Sequence, residues 1–210
     1  MALFEFIARS FQNGGIFMYP ILIVGALGLS ITAERVWYLT RARAENRSLW
    51  LHLLPLIREG RFDDARELAG RSKTAIGHIV GHGLMQVGSG ASRERAEAAV
   101  DESLLEMMPA LARRTHYLAT FSNIATLLGL LGTIVGMIHG FSAVGELSPA
   151  DRQGQLSAAV SQAMNCTAFG LVVAIPMMLI HAWLQSLTDE ISDRVEVAAV
   201  KFVNDVAGRA

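Results

Sequence analysis

Thr133 and Thr167 each interrupt a run without Asp, Glu, Lys or Arg, the first from Tyr117 to Phe141 and the second from Gln153 to Thr188. A hydroxyl in such a run can bond the carbonyl four residues back in its own helix. Alternatively it can offer its oxygen to something polar that enters the apolar layer. Spacing favours a shared polar surface. Gly129, Gly132, Gly136 and Gly140 lie 3, 4 and 4 apart and line one helix face. Ala159, Ala163, Thr167, Gly170 and Ala174 repeat the pattern in the second run. Small residues at that spacing let two backbones approach closely, so the two faces are expected to meet. Counted from Pro149, Thr133 lies 16 residues back and Thr167 lies 18 forward. An antiparallel hairpin therefore brings both to similar depth. Ser157, Ser161, Gln162 and Asn165 add a polar stripe, which in lipid must face protein or water. It reads either as glue between helices or as the lining of a wet vestibule. Pro176 sits mid-run and is tolerated where neighbouring helices re-satisfy the backbone.

What is missing narrows the chemistry further. No long apolar run carries a mid-depth Asp or Glu, and proton relays through a bilayer usually need an ionisable group there. If protons cross, the carboxylate should come from another chain. His139 and His181 lie near helix ends and read as interfacial. His78 and His82 are four apart, but the residues between them lack the glutamate of a zinc-protease helix and no third ligand is evident. Gly81, Gly83, Gly88 and Gly90 lack the Gly-Lys-Ser/Thr of a phosphate loop. No catalytic residue, metal site or cofactor is expected, and the chain does not read as an enzyme.

The elements that must hold these residues follow from composition. The 210 residues are 52% hydrophobic and 18% charged, with a net charge of −1. Soluble domains carry about 25% charged residues, and nucleic-acid binders show a basic excess, so no nucleic-acid partner is expected. The only cysteine, Cys166, rules out an internal disulfide. Three runs are long enough to cross a bilayer, which takes about 20 residues. The fold class is an all-α membrane protein: three transmembrane helices with long cytoplasmic helical extensions. The expected segments are an amphipathic interfacial helix at 1–15, a first span at 16–39, and a cytoplasmic helical domain at 40–116. A second span follows at 117–141, a short periplasmic loop at 142–156, a third span at 157–187 and a cytoplasmic tail at 188–210. The N-terminal stretch lacks the basic start of a signal peptide. Gly25, Gly28 and Thr32 give the first span a face for a close neighbour.

Thirteen of the 18 Lys and Arg lie between Arg35 and Arg114. Basic residues gather on the cytoplasmic side, so this region is placed in the cytoplasm and the N-terminus outside. Helices are expected there over Leu49–Glu59, Phe62–Gly70, Lys73–Gln86 and Ser92–Tyr117, with Ser92 as an N-cap, a loop at Gly88–Gly90 and Pro109 as a kink. The 36 uncharged positions from Gln153 to Thr188 reach about 54 Å as one helix, against roughly 30 Å of hydrocarbon. The third helix must tilt or extend beyond the lipid. In the tail, Ile191, Val195, Ala198 and Phe202 form an apolar stripe expected to pack on the other cytoplasmic helices.

Gly129–Met137 (Gly-Leu-Leu-Gly-Thr-Ile-Val-Gly-Met) and Gln162–Pro176 (Gln-Ala-Met-Asn-Cys-Thr-Ala-Phe-Gly-Leu-Val-Val-Ala-Ile-Pro) resemble the MotA/TolQ/ExbB proton-channel family. Three spans with a large first cytoplasmic region look like its ExbB/TolQ branch, and Met18–Pro20 and Glu34-Arg35 fit as flanks of the first span. The resemblance implies a homo-oligomer, a pentamer in the bacterial inner membrane, around a dimer of an ExbD/TolR-like single-span partner. That partner's membrane aspartate would carry the proton, and a TonB-like protein could receive the work. Thr133 and Thr167 match the family's pore threonines, with Gln162 and Asn165 expected along the pathway and the glycines and Pro176 in helix packing. ExbB and TolQ usually carry glutamate where this chain has Gln162. The function implied is a proton-motive-force-driven stator or motor subunit. A non-conducting membrane scaffold organising an envelope complex is the alternative.

Overall fold

A computed structural model describes residues 15–88, 92–145 and 148–207, and all regular structure among them is helical. The expected helix at 1–15 and the expected loop around Ser89-Gly90 lie almost wholly outside the described residues. The helices are α1 (Met18–Glu59), α2 (Phe62–Gly70), α3 (Ala75–Gly88), α4 (Arg93–Ala112), α5 (His116–Val144) and α6 (Pro149–Ala207). Three helical stretches, Met18–Glu59, Arg93–Val144 and Asp151–Val206, contain segments long and apolar enough to cross a membrane.

Several helix boundaries differ from the sequence expectation. The first span and the helix expected at Leu49–Glu59 are one 42-residue helix. The hydropathy falls after Leu39, but nothing there breaks a helix. The stop comes at Gly60, with φ +78. There the Gly60 N–H donates to Ile57 O and the Arg61 N–H to Leu56 O, the paired bonds of a glycine-terminated helix. The helix expected over Ser92–Tyr117 is divided. Pro109 stays inside α4, and the break falls at Arg113–Thr115, where Arg114 adopts φ 68. Ser92 does precede α4, but its hydroxyl reaches Glu94 instead of capping a backbone N–H. Helix α6 starts at Pro149, so most of the stretch expected as an outside loop is helical. Proline at a first helical position loses an N–H that had no partner anyway.

The chain forms two compact units. The first contains the described residues up to Glu34 and those within Arg114–Ala182. Its core gathers Met18, Ile21, Ala125, Cys166, Phe169 and Ala174 from α1, α5 and α6. Gly25 and Gly28 of α1 face Val173 and Met177 of α6, which gives the first span the close neighbour expected. An exposed ion pair joins Arg114 to both carboxylate oxygens of Glu34 at 2.9 and 3.0 Å.

The second unit contains the described residues within Arg35–Arg113 and from Trp183 to Ala207. Here α3 packs on α2 and α4. The start of α3 is fixed twice. Thr74 Oγ1 accepts the Gly77 N–H at 3.1 Å, and the buried Asn46 of α1 accepts the Ile76 N–H at 2.9 Å. These are orphan donors of a helix N-terminus. Ile191, Val195, Ala198 and Phe202 are buried as the tail stripe required, with the Phe202 ring against Gly83 of α3. Arg35, 4% exposed, donates to the Leu111 carbonyl near the end of α4.

Candidate functional site

The site lies in the first unit, where α5 and α6 run antiparallel. A Cβ built on Gly140 would meet Ala159, one on Gly136 would meet Ala163, and one on Gly132 would meet Cys166. Gly129 and Gly170 bring the two backbones together directly. A Cβ on Gly170 would lie 2.8 Å from Ala125 O and 3.1 Å from Gly129 Cα. The small-residue faces therefore meet in one continuous register over three helical turns. Nothing larger than hydrogen fits at Gly170, because the opposing atoms are backbone.

Thr133 and Thr167 sit at the edge of this seam. Each hydroxyl lies 3.0 Å from the Gly129 carbonyl oxygen, and the two hydroxyls contact each other. Thr133 thus makes the bond four residues back in its own helix and also shares a polar surface with Thr167. Both side chains are half-buried. Three oxygens share two hydroxyl hydrogens, and a carbonyl has two lone pairs. The cluster has more acceptor capacity than it can fill, so it suits a donor: a water, or the O–H of a protonated carboxyl.

The other expected residues lie elsewhere on α6. Gln162 is exposed, with its side-chain amide beside Gly15 at the start of the first span. Five residues separate it from Thr167, about 140° around a helix, and Asn165 is displaced by about 160°. The structure does not bring either to the threonine contact. Pro176 lies inside α6 and lines an apolar groove of about 390 Å³ against α1 with Gly25, Leu29 and Met177. Sequence reasoning missed Ser122. It is fully buried and donates to the Ala174 carbonyl at 2.8 Å, tying α5 to α6. Its signal was available: eleven residues, about three turns, put it on the face of Thr133. His78 and His82 approach with ring centroids 4.8 Å apart, and among the described residues no three His, Cys, Asp or Glu are grouped to hold a metal.

Three spanning-length apolar helices, two of them sealed along a glycine seam with paired hydroxyls at its edge, define a multi-pass α-helical membrane protein. The model of the MotA/TolQ/ExbB proton channel family matches residues 71–197, more than half of the chain, which belongs to that family. An ExbB homologue named for biopolymer transport in Methanothermobacter thermautotrophicus is 26% identical over 200 residues, covering 92% of this chain and 68% of the relative. An ExbB-like biopolymer transport protein of Synechocystis is 29% identical over 188 residues, covering 87% and 72%. The Tol-Pal system protein TolQ of Haemophilus influenzae is 32% identical over 71 residues, covering 34% and 31%. The resemblance drawn from the threonine motifs points to the same family.

Proposed function

We propose that this chain is the channel-forming subunit of a proton-motive-force-driven motor in a bacterial inner membrane, energising transport or other work in the cell envelope. The observation that carries the reading is the pair of hydroxyls over the Gly129 carbonyl. It is an acceptor-rich spot on the edge of a helix seam inside two apolar runs. A proton carrier passing that edge would find hydrogen-bond partners where the lipid offers none. The spans supply no carboxylate of their own, so the carrier is a membrane aspartate of an ExbD/TolR-like single-span partner. Copies of this chain, five in the family's manner, surround a dimer of that partner. Gln162 and Asn165 belong to the outer approach, away from the threonine contact. The excess of Lys and Arg between Arg35 and Arg114 supports a periplasmic N-terminus and a cytoplasmic C-terminus. A TonB-like protein is the natural recipient of the work.

The test replaces both threonines by valine, which keeps shape and removes the oxygens. Proton flux is measured in vesicles that hold the chain together with its partner, and assembly is checked by native mass. Undiminished flux through a normally assembled complex would remove the threonines from the path. A complex insensitive to uncouplers would favour the scaffold reading.

A further inference from the structure

In the second unit, α1 and α6 leave an open cleft of about 300 Å³. Trp50 and Val197 give it an apolar lining, and Arg43, Arg47, Arg194 and Lys201 stand around it. Glu190 holds Arg43 at 2.6 Å and Arg194 at 2.7 Å, and Asp193 also borders the cleft. Among the described residues, Arg47 and Lys201 meet no carboxylate. The cleft is therefore basic overall, with two cations still free.

A surface of opposite charge lies on α4 of the same unit. Glu97, Asp101 and Leu105 are four apart and form one stripe. Both acids are exposed and meet no cation among the described residues. Leu105 is 78% exposed, more than any other large apolar side chain described. An acidic helix edge ending in a bare leucine is the shape and charge that a basic cleft with an apolar floor accepts.

Height decides which partner brings that stripe. The helices enter this unit at Arg35, Arg113 and Trp183. Counted from there, Arg47 is 12 residues out, Arg194 11 and Lys201 18, while Asp101 is 12, Glu97 16 and Leu105 8. Copies inserted the same way in one bilayer are related by rotation about its normal, so surfaces at matching height face one another. Two different surfaces that meet in this way make a head-to-tail interface, which closes into a ring. We propose that the acidic stripe of α4 in one copy docks into the basic cleft of the next, with Asp101 level with Arg47 and Glu97 level with Lys201. This rests on the chain spanning the membrane and is independent of whether it conducts protons.

The test uses the full-length chain in lipid nanodiscs and reads oligomer mass. Arg47→Glu with Lys201→Glu should lower the oligomeric state, and so should Glu97→Lys with Asp101→Lys. All four changes in one chain exchange the charges and should restore the assembly. In a Cys166→Ala background, Arg47→Cys with Asp101→Cys, both 12 residues out, should give intermolecular disulfides. Unchanged mass in both pairs, as expected if an acidic segment of another protein fills the cleft, overturns the proposal. Loss that the fourfold exchange does not repair overturns it as well. Loss of proton flux with intact oligomers would bear on the channel reading alone.

Discussion

The hydroxyls of Thr133 and Thr167 are 34 residues apart in the chain and converge on one acceptor, the carbonyl of Gly129, 3.0 Å from each. The glycine seam makes this convergence possible, because a Cβ at Gly129 would lie 3.3 Å from Thr167 Cα. Any larger residue at 129 pushes Thr167 away from the carbonyl. Packing and polar chemistry therefore depend on the same backbone approach.

Serine and valine separate the oxygen from the shape at these positions. Thr133→Ser and Thr167→Ser keep the hydroxyl and should retain most proton flux. The valine variants keep the volume and should lose at least about tenfold, equivalent to ~1.4 kcal/mol in the barrier. Stability should change little, since hydrogen bonds between membrane helices are worth about 0.6 kcal/mol on average. Flux assays paired with thermal unfolding check both statements. Serine and valine behaving alike would show that the oxygen does no work.

Two glycines of α6 should respond oppositely to alanine. At Gly170 the new Cβ meets the Ala125 carbonyl oxygen at 2.8 Å and Gly129 Cα at 3.1 Å. Neither can rotate aside, so the helices must separate at a cost of about 1–3 kcal/mol. At Gly154 no atom lies within 4 Å and the position is exposed within the helix. Alanine there should stabilise by up to ~1 kcal/mol. The sign of each change in unfolding temperature is the readout, and equal signs would refute the packing account.

The seam was legible in the sequence because a close backbone approach needs only small residues at helical spacing, which Gly129, Gly132, Gly136 and Gly140 display. The matched depth of the threonines followed from counting along the hairpin. The break at Arg113–Thr115 was not legible. Arginine at φ 68 carries no signature comparable to glycine, and Pro109 drew the expectation to a place where the helix continues. The unbroken α1 was missed because a change of hydropathy is not a change of backbone preference. The start of α3 depends on Asn46, 30 residues away, which no local pattern announces. Gln162 was placed along the pathway by the family resemblance, and its spacing sets it about 140° around the helix from Thr167.

Ser122 should matter for hairpin stability. Its hydroxyl is fully buried and donates across to Ala174 O at 2.8 Å. Ser122→Ala loses that bond, while Ala174 O keeps its place in the α6 ladder and is not left bare. The expected cost is about 0.5–1.5 kcal/mol. Proton flux per assembled complex should change less than in Thr133→Val. A flux loss in Ser122→Ala equal to that of the threonine variants would instead place Ser122 on the path.

The Glu34–Arg114 pair joins a weak attraction to a strained backbone. Both side chains are about half exposed, and exposed ion pairs are worth about 0–1 kcal/mol. Arg114 at φ 68 occupies a region that costs a residue with a Cβ roughly 1–2 kcal/mol. Arg114→Gly removes both terms and should leave stability near or above that of the unaltered chain. Arg114→Ala removes the ion pair and keeps the strain, so it should be the least stable of the three, by about 1 kcal/mol relative to glycine. Raising the salt to about 1 M screens the exposed pair. The unaltered chain should then move toward the alanine variant, while the glycine variant keeps its lead. Thermal unfolding at low and high salt gives the ranking. Alanine matching glycine at both would mean that residue 114 is not held in the left-handed conformation, and the break between α4 and α5 would need another cause.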